Sequence, residues 1–359
     1  MSAAAPAVDT LRVEVGLLGR AGEALRELGV GGRAFVVSDD NVMPRHGDVL
    51  MGSLERAGYR PASRVVPGIE SSKSLTTATE LYGWLADERA ERRDVVVALG
   101  GGVVGDLAGF VAATYLRGLA LVQAPTTLLA QVDSAIGGKT AVNLLEKGKN
   151  LVGAWHLPVA ILIDTATLGS LPRRQIVAGW SETLKHALIM DADLLTHIER
   201  NVDALLGLDP VVTAEVVERS ARLKVAVVEE DPREQGRRII LNYGHTVGHA
   251  LEAAAGYERF HHGEAVAVGM RAAAEIGREV GVTPPELADR QARLLARFGL
   301  PSGATGVDLA RLRAAMKLDK KVEAQMQRWV LLTAPGETVV RRDVPDDVVE
   351  SVLRRLVTS

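Results

Sequence analysis

The sequence contains no cysteine among its 359 residues. This absence excludes disulfide bonds, thiolate zinc sites and a cysteine nucleophile, so histidine, aspartate and glutamate are the remaining metal ligands. Aromatic residues make up only 4% of the chain, and the formal net charge is −3. The chain therefore lacks the sequence-wide basic field that attracts nucleic acids and anionic membranes.

Long uninterrupted hydrophobic segments are also missing. Residues 1–6 lack the basic start and apolar core of a signal peptide, and the apolar stretch from Val95 is interrupted at Asp106 before it could span a bilayer. We therefore expect a cytoplasmic protein with no membrane or nucleic-acid partner. Its length and its 47% hydrophobic content predict two domains with ordinary cores.

The periodicity of apolar residues changes near residue 172. Before it, β-rich runs alternate with helix-like stretches, which predicts a mainly parallel sheet. The six predicted strands are Leu11–Val15, Ala34–Ser38, Arg64–Val66, Val95–Leu99, Leu119–Ala124 and Val159–Asp164. After it, helical spacing dominates. The elements predicted there are helices Val211–Glu229, Ile239–Ala255, Ala265–Val280, Pro285–Phe298 and Asp346–Val357, and a strand at Trp329–Thr333. We predict an α/β domain over residues 1–172 and a mainly helical domain over residues 173–359.

A glycine-rich turn, Gly100–Asp106, follows an apolar strand and precedes a helix-like segment. Glycines in such a turn let backbone amides approach a pyrophosphate at a helix N-terminus, although packing is an alternative role. The turn follows the fourth predicted strand rather than the first, unlike an ordinary dehydrogenase fingerprint. Asp39 and Asn41 follow the second strand, where an acidic residue often meets a ribose hydroxyl, but either is equally a turn residue.

Histidines and a glutamate in the second half indicate a metal site. His245 and His249 are four residues apart and share one helix face, and His262 and Glu182 offer further ligands. Three such ligands with a vacant position suit a catalytic divalent metal. A zinc-protease motif is disfavoured because Thr246 replaces its glutamate. The other histidines are expected to be surface or hydrogen-bonded core residues: His46, His156, His186, His197 and His261.

Several cations lie singly in segments rich in Gly, Thr and Asn. Such isolated cations suit a phosphate or carboxylate ligand better than a polyanion, although each is equally explained as a solvated surface charge. They are Arg117, Lys139, Lys149, Lys185, Lys224, Arg238, Lys320 and Lys321.

Ordered motifs occur from about Asp39 to about Leu332. They are Gly100–Phe110, Pro125–Asp133, Gly137–Thr140, Gly148–Leu151, Glu182 with Lys185, Leu241–His245, His262–Ala267 and Asp319–Lys321. In residue types, order and spacing they closely resemble the motifs of the 3-dehydroquinate synthases, which are sugar-phosphate cyclases. The resemblance implies a Rossmann-like, NAD-binding α/β domain followed by an all-α domain that binds metal and substrate. It also implies an active site in the cleft between the two domains, and a homodimer.

The resemblance further implies roles for individual residues. The implied ligands of zinc or cobalt are Glu182, His245 and His262. The implied cofactor positions are Asp39, Asn41, Glu70, Lys73, Gly102, Val103, Val104, Gly105, Asp106, Thr126, Thr127, Lys139, Lys149, Thr167, Leu168, Gly169 and Ser170. The implied substrate and catalytic positions are Arg117, Asp133, Lys139, Asn150, Lys185, Lys224, Arg238, Asn242, His249, Lys320 and Lys321.

The reaction implied by the resemblance belongs to the shikimate pathway. A carbon–oxygen lyase converts 3-deoxy-D-arabino-heptulosonate 7-phosphate into 3-dehydroquinate and phosphate, through transient oxidation by NAD, phosphate elimination, re-reduction, ring opening and aldol closure. By the same analogy Lys139, Asn150 and Arg238 would hold the phosphate, and Lys185 and Lys224 the carboxylate and ring oxygens.

Four residues depart from the family pattern: Ile69, Gln175, His186 and Gln325. Two of these departures concern the conformation of a loop: Ile69 that of a cofactor-side loop, and Gln325 that of the loop of the paired lysines. The alternative interpretations are a related cyclase of the sedoheptulose 7-phosphate or aminodehydroquinate type, a metal-dependent alcohol or glycerol dehydrogenase, and an inactive NAD-binding protein. Arg238, Asn242 and the Lys320–Lys321 pair favour the carboxylated substrate.

Overall fold

The computed structural model describes residues 10–144, 147–256, 259–322 and 327–358, without the side chains of residues 318–322. Contacts divide the chain into a first unit, Met1–Leu171 with Thr213–Pro232, and a second unit, Pro172–Val212 with Arg233–Ser359. The break at Leu171 lies beside the predicted boundary. Thr213–Pro232, however, groups with the first unit, whereas a single boundary at residue 172 assigns it to the second.

The described residues form twelve strands and thirteen α-helices, besides short 3-10 and π helices. The strands are β1 (Leu11–Glu14), β2 (Ala34–Asp39), β3 (Ala62–Val66), β4 (Val95–Gly100), β5 (Ala120–Pro125), β6 (Lys139–Leu144), β7 (Gly148–Trp155), β8 (Ala160–Asp164), β9 (Ala304–Thr305), β10 (Trp329–Ala334), β11 (Glu337–Arg341) and β12 (Val357–Thr358). The helices are α1 (Ala21–Glu27), α2 (Asp48–Arg56), α3 (Leu75–Asp87), α4 (Gly102–Thr114), α5 (Arg173–Met190), α6 (Ala192–Arg200), α7 (Val202–Leu206), α8 (Pro210–Glu230), α9 (His245–Ala254), α10 (His262–Glu279), α11 (Pro285–Arg297), α12 (Leu309–Val322) and α13 (Asp346–Leu356).

The first unit is built on a six-stranded sheet with strand order β1-β8-β5-β4-β2-β3, in which all neighbours are parallel. All six predicted strands are confirmed. The central strand β4 is buried along its whole length, because helices cover both faces of the sheet. Its side chains alternate between two hydrophobic cores. Val97 packs with residues of α1 and α2, and Val96 packs with residues of α3 and α4.

A hairpin of β6 and β7 was not predicted. The two strands pair antiparallel, with Lys139 opposite Trp155. Alternation of exposed and partly buried residues along β7 shows that only one face of this hairpin packs. Most of α8 also belongs to the first unit, where Lys224 is paired with Asp133.

The second unit is mainly helical, as predicted, and its strands β9 to β12 form two short two-stranded sheets. One hydrophobic core joins α9, α10, α12 and α13 to β10, through residues such as Leu251, Val268, Leu312, Leu353 and Leu331. The late strand at Trp329 is confirmed as β10, which pairs antiparallel with β11. No described helix combines the length and apolarity needed to cross a bilayer.

The predicted helix Ile239–Ala255 is wrong in one respect, because the structure divides it into two. Residues Arg237–Asn242 form a short 3-10 helix, and α9 begins only at His245. Between them Gly244 has φ +81°, a left-handed conformation that glycine adopts without steric cost. This break fixes His245 as the first residue of α9.

Candidate metal centre and glycine-rich turn

Three potential metal ligands converge in the second unit. Glu182 lies in the middle of α5, whereas His245 and His262 are the first residues of α9 and α10. The Nε2 atoms of both histidines lie 3.8 Å from Oε1 of Glu182. One ligand atom from each residue lies within 4.8 Å of the other two. This spacing is suitable for a single cation between them.

The carboxylate of Glu182 is fully buried. Lys185, one turn further along α5, forms an ion pair with its Oε2, but neither carboxylate oxygen accepts a hydrogen bond of good geometry from any described residue. Buried polar atoms without hydrogen bonds are costly. Lys185 balances Oε2, and a divalent cation between the two histidines would compensate Oε1, so the site fits a metal.

Both histidines are oriented so that Nε2 faces Glu182. Nδ1 of His245 lies 3.2 Å from the carbonyl oxygen of Tyr243, and Nδ1 of His262 lies 3.2 Å from Oε2 of Glu252. If each Nδ1–H donates to these acceptors, each Nε2 presents its lone pair to a metal. Two imidazoles and one carboxylate form a donor set used by catalytic zinc.

Glycines allow the three helices to approach closely. A Cβ atom at Gly263, next to His262, would lie 1.8 Å from the carbonyl oxygen of Ala178 on α5. A Cβ atom at Gly269 would lie 1.8 Å from the carbonyl oxygen of Gly244. Any larger residue would push α10 away from α5 or α9. The glycines therefore position His262 against the other two ligands.

In the first unit, the glycine-rich turn joins β4 directly to α4. Gly101 precedes α4 without a side-chain cap, which leaves the first amide groups of the helix available to an anion. A Cβ atom at Gly101 would lie 2.9 Å from Cγ2 of Thr127. The adjacent Thr126 has a buried hydroxyl without a hydrogen-bond partner in the described part of the chain. These features fit a turn that binds pyrophosphate.

Two predicted cofactor carboxylates lie at the end of β2 and near the start of α4. Asp39 ends β2, and its Oδ1 accepts hydrogen bonds of 2.9 Å from the backbone amides of Asn41 and Val42. Burial raises the pKa of Asp39. Asp106, in the first turn and a half of α4, accepts a hydrogen bond from the buried Lys73. Burial raises the pKa of Asp106, and the charge of Lys73 opposes that shift.

The remaining predicted cofactor residues lie in further segments of the first unit. Glu70 accepts a hydrogen bond of 2.8 Å from Asn143 and lies 3.7 Å from Nζ of Lys149. At the end of β8, the short helix Thr165–Ser170 contains Thr167, Leu168, Gly169 and Ser170. The hydroxyl of Ser170 lies 2.9 Å from Nε2 of His46. Val103 and Val104 are part of α4, beside Gly102 and Gly105.

Ile69 causes no strain in the cofactor-side loop. Its φ and ψ are −128° and 153°, an extended conformation open to any residue, and its side chain is largely exposed. The departure from the family pattern at this position therefore leaves the loop intact. Gln325, the other loop departure, lies outside the described residues.

The predicted substrate residues are distributed over both units. In the first unit, Lys224 donates a hydrogen bond of 2.6 Å to the carbonyl oxygen of Asp133, and Nζ of Lys139 lies 5.6 Å from the centre of the Trp155 ring. Arg117 and Asn150 both have positive φ, 67° and 59°.

In the second unit, Lys185 and Arg238 are buried, and Asn242 donates a hydrogen bond of 2.9 Å to Glu234. The ring of His249 lies 5.0 Å from that of His245, centre to centre. Lys320 and Lys321 lie in α12, but their side chains are outside the described part of the structure.

Glu252 was missed in the sequence, although a signal for it exists. His245, His249 and Glu252 are separated by four and three residues, a spacing that places all three on one face of α9. The supporting role of Tyr243 has no such signal, because it acts through its backbone carbonyl.

Family profiles match most of the chain. The profile described as 3-dehydroquinate synthase N-terminal matches residues 63–178, and the one described as 3-dehydroquinate synthase C-terminal matches residues 179–322. The 3-dehydroquinate synthase of Symbiobacterium thermophilum is 50% identical over 347 residues, covering 96% of each chain. That of Nostoc punctiforme is 44% identical over 340 residues, covering 94% of this chain and 93% of its own.

Solved structures of cyclases have the same fold. The 2-epi-5-epi-valiolone synthase ValA from Streptomyces hygroscopicus, with NAD+ and Zn2+ bound, has a TM-score of 0.88 and 28% identity, covering 96% of each chain. A 2-deoxy-scyllo-inosose synthase complexed with carbaglucose-6-phosphate, NAD+ and Co2+ has a TM-score of 0.85 and 29% identity, with the same coverage. The glycerol dehydrogenase of Schizosaccharomyces pombe, at 18% identity and a TM-score of 0.68, shares the fold alone.

Proposed function

The chain belongs to the 3-dehydroquinate synthase family, and from this premise we propose that it converts 3-deoxy-D-arabino-heptulosonate 7-phosphate into 3-dehydroquinate and phosphate. The observation that carries the proposal is the 50% identity to a 3-dehydroquinate synthase over 96% of both chains. The cluster of Glu182, His245 and His262 supports it, because its two Nε2 atoms lie 3.8 Å from one carboxylate oxygen.

Two cofactors would supply the redox chemistry. A divalent ion held by Glu182, His245 and His262 would stabilise negative charge on a substrate oxygen, and NAD held at the glycine-rich turn would accept and return a hydride. The buried, hydrogen-bond-deficient carboxylate of Glu182 supports the first assignment. The uncapped N-terminus of α4 supports the second, because it attracts the pyrophosphate.

Cationic residues would hold the anionic groups of the substrate. Lys139, Asn150 and Arg238 are proposed to bind the phosphate, and Lys185 and Lys224 the carboxylate and ring oxygens. The side chains of Lys185, Lys224 and Arg238 are buried. A cation in such an environment interacts more strongly with a bound anion than an exposed one does, because the local dielectric constant is low.

The fate of NAD separates this function from that of a dehydrogenase. Purified enzyme is incubated with the seven-carbon acid phosphate, a divalent metal and a small amount of NAD, and phosphate, NADH and the product are followed together. We expect phosphate in large excess over NAD, no accumulation of NADH, and 3-dehydroquinate as the product. Stoichiometric NADH formation would instead identify a dehydrogenase.

The choice of substrate separates this function from that of related cyclases. Structures of two other cyclases have TM-scores of 0.85 and 0.88 with this chain but only 28–29% identity, so the scaffold alone does not define the substrate. A site that pairs with a carboxylate leaves a charged donor unmatched when the carboxylate is missing, at a cost of about 2–5 kcal/mol. We expect kcat/KM for the carboxylated sugar to exceed that for sedoheptulose 7-phosphate by at least about 30-fold. Equal values would refute the dehydroquinate assignment but not the cyclase scaffold.

Removal of one metal ligand provides a direct test of the cluster. E182Q preserves the side-chain volume but replaces the only carboxylate among the three ligands. We expect loss of tightly bound zinc or cobalt and of phosphate release, with far-UV circular dichroism unchanged, because two histidines alone hold such ions weakly. D193N, at an acidic residue elsewhere in the same unit, provides the control. Full activity of metal-free wild-type enzyme would contradict the assignment.

We also propose that the protein is a cytoplasmic homodimer. The motive is its family membership. Light scattering coupled to size-exclusion chromatography would give a mass of twice 38.2 kDa. A mass of one chain would refute the dimer.

A further inference from the structure

The metal cluster is contacted by an acidic side chain that is not one of the three ligands, that of Glu252. Oε2 of Glu252 lies 3.2 Å from Nδ1 of His262. The corresponding atom of His245 faces the backbone carbonyl of Tyr243 instead. Nδ1 of His245 thus faces a main-chain acceptor, whereas Nδ1 of His262 faces a side chain that a substitution can change.

We propose that Glu252 is the positioning residue of this centre, holding His262 in the tautomer and ring orientation that direct Nε2 at the metal. The inference rests on the metal cluster proposed above. It assigns to Glu252 a role in metal affinity, exerted through His262 and not through contact with the ion.

Burial and helix geometry support this role. The side chain of His262 is 26% exposed, against 12% for His245, so packing alone restrains His262 less. Glu252 lies two turns after His245 on α9, and its carboxylate reaches the N-terminus of α10, where the helix dipole favours negative charge. At 15% exposure the carboxylate is screened from solvent, which strengthens a hydrogen bond from an imidazole.

A competing role for Glu252 is direct ligation. Its carboxylate forms a second potential metal-binding group with His249 and His262. Direct ligation would place the ion against the carboxylate of Glu252, one oxygen of which lies beside Nδ1 of His262. A positioning residue needs only an acceptor oxygen near Nδ1, whereas a ligand needs a charged oxygen near the metal. The variant E252Q distinguishes the two roles, because the glutamine side chain keeps an acceptor oxygen but carries no negative charge.

The experiment measures Zn2+ affinity in the full chain after treatment with a chelator. Competition with a fluorescent zinc chelator gives Kd for the wild type, E252Q and E252A, with E279A as a control at a carboxylate on α10 that pairs with Arg355. We expect E252A to weaken zinc binding by about 10–100-fold, the range typical of lost outer hydrogen bonds. E252Q should fall between E252A and the wild type, and E279A should match the wild type.

The Co2+-substituted proteins provide a second readout that a purely structural defect would not change selectively. The intensity of the visible absorption bands reports the coordination number of Co2+. We expect E252Q and E252A to keep the wild-type intensity, because all three ligands remain, while E252A alone shifts the band positions. Thermal unfolding of the metal-free proteins checks the fold, and E252Q carries the test if E252A does not fold.

Three outcomes would overturn the inference. They are unchanged zinc affinity in E252A, equal losses in E252Q and E252A, and a change of coordination number in both variants. The last two would make Glu252 a ligand. Failure of the wild-type chain to bind zinc would instead refute the proposed metal centre, so the two failures are distinguishable.

Discussion

Tyr243 is buried, and its backbone carbonyl and its phenol group make different contacts. Its carbonyl oxygen faces Nδ1 of His245, and its phenol donates a hydrogen bond of 2.6 Å to Oε1 of Gln291. Nε2 of Gln291 in turn donates to the carbonyl oxygen of Met270 at 2.8 Å. Burial raises the pKa of Tyr243 well above its usual value, so the phenol remains a donor across the physiological range.

Replacing Tyr243 by phenylalanine should therefore destabilise the second unit. Y243F leaves the fully buried Oε1 of Gln291 without its phenol donor, at a cost of about 1–3 kcal/mol. Urea unfolding of the two proteins measures the difference. Y82F is the matched control, because the phenol of Tyr82 hydrogen-bonds Thr114 at an exposed position, and a change within about 0.5 kcal/mol is expected there. Equal stability of Y243F and wild type would show that the network is not stabilising.

At the residue scale, the sequence is informative where the chemistry depends on residue types. The side chains and the family resemblance predict Glu182, His245 and His262 as metal ligands, and these three residues lie together in the structure; their role as ligands stays a prediction. The sequence is less informative where the function depends on a neighbour in space. The helical spacing places Glu252 on the face of His245, but Glu252 is ten residues from His262, and no local pattern shows that the chain folds back to bring these two into contact.

At the scale of elements, α5, α9 and α10 depend on two glycine contacts for their close packing. Gly83 offers the opposite situation. It lies within α3, and a Cβ atom there would meet nothing within 4 Å. The same substitution of glycine by alanine is therefore expected to have opposite effects at two helical positions.

G263A should lower the free energy of unfolding by about 1–3 kcal/mol, because the new methyl group would overlap the carbonyl of Ala178 and force α10 from α5. Zinc affinity should fall with it, since His262 moves with the helix. G83A should instead raise stability by about 0.5–1 kcal/mol, because alanine restricts the unfolded chain. Denaturant titrations and zinc Kd values test both. An unchanged zinc affinity in a folded G263A would contradict the role given to the glycine contact.

Strands were predicted better than hairpins and helix limits, for a physical reason. A parallel strand covered on both faces is a continuous apolar run, as in β4, and such a run is visible in sequence. β6 and β7 are buried on one side only and contain Gly148 and Gly153, so their pattern is weak. The helix predicted across Gly244 was broken by a left-handed φ, which apolar spacing does not reveal.

On the scale of the whole molecule, the two proposed cofactors bind different units. The glycine-rich turn lies in the first unit, and the metal cluster in the second. A ligand that binds only the folded state stabilises it by about 2.7 kcal/mol at a hundred times its Kd. Each cofactor should therefore protect its own unit first.

Hydrogen exchange with each cofactor added alone tests this expectation. NAD should slow amide exchange in β4 and α4, and zinc should slow it in α5, α9 and α10. E182Q should lose the response to zinc and keep the response to NAD. Protection of α4 by zinc and of α10 by NAD, in place of this pattern, would show that the cofactors are assigned to the wrong units.

The segment Thr213–Pro232 belongs to the first unit, although part of the second unit, Pro172–Val212, precedes it in the chain. This order has a consequence for folding during translation. During translation the sheet strands are complete at Asp164, but the ribosome must add about 50 further residues before Thr213, where the segment that supplies Lys224 begins. At about 5–20 residues per second this takes roughly 2–10 s. Throughout that interval Lys224, which pairs with Asp133 in the folded chain, has not yet been made, and we expect the nascent first unit to be more accessible to chaperones and proteases.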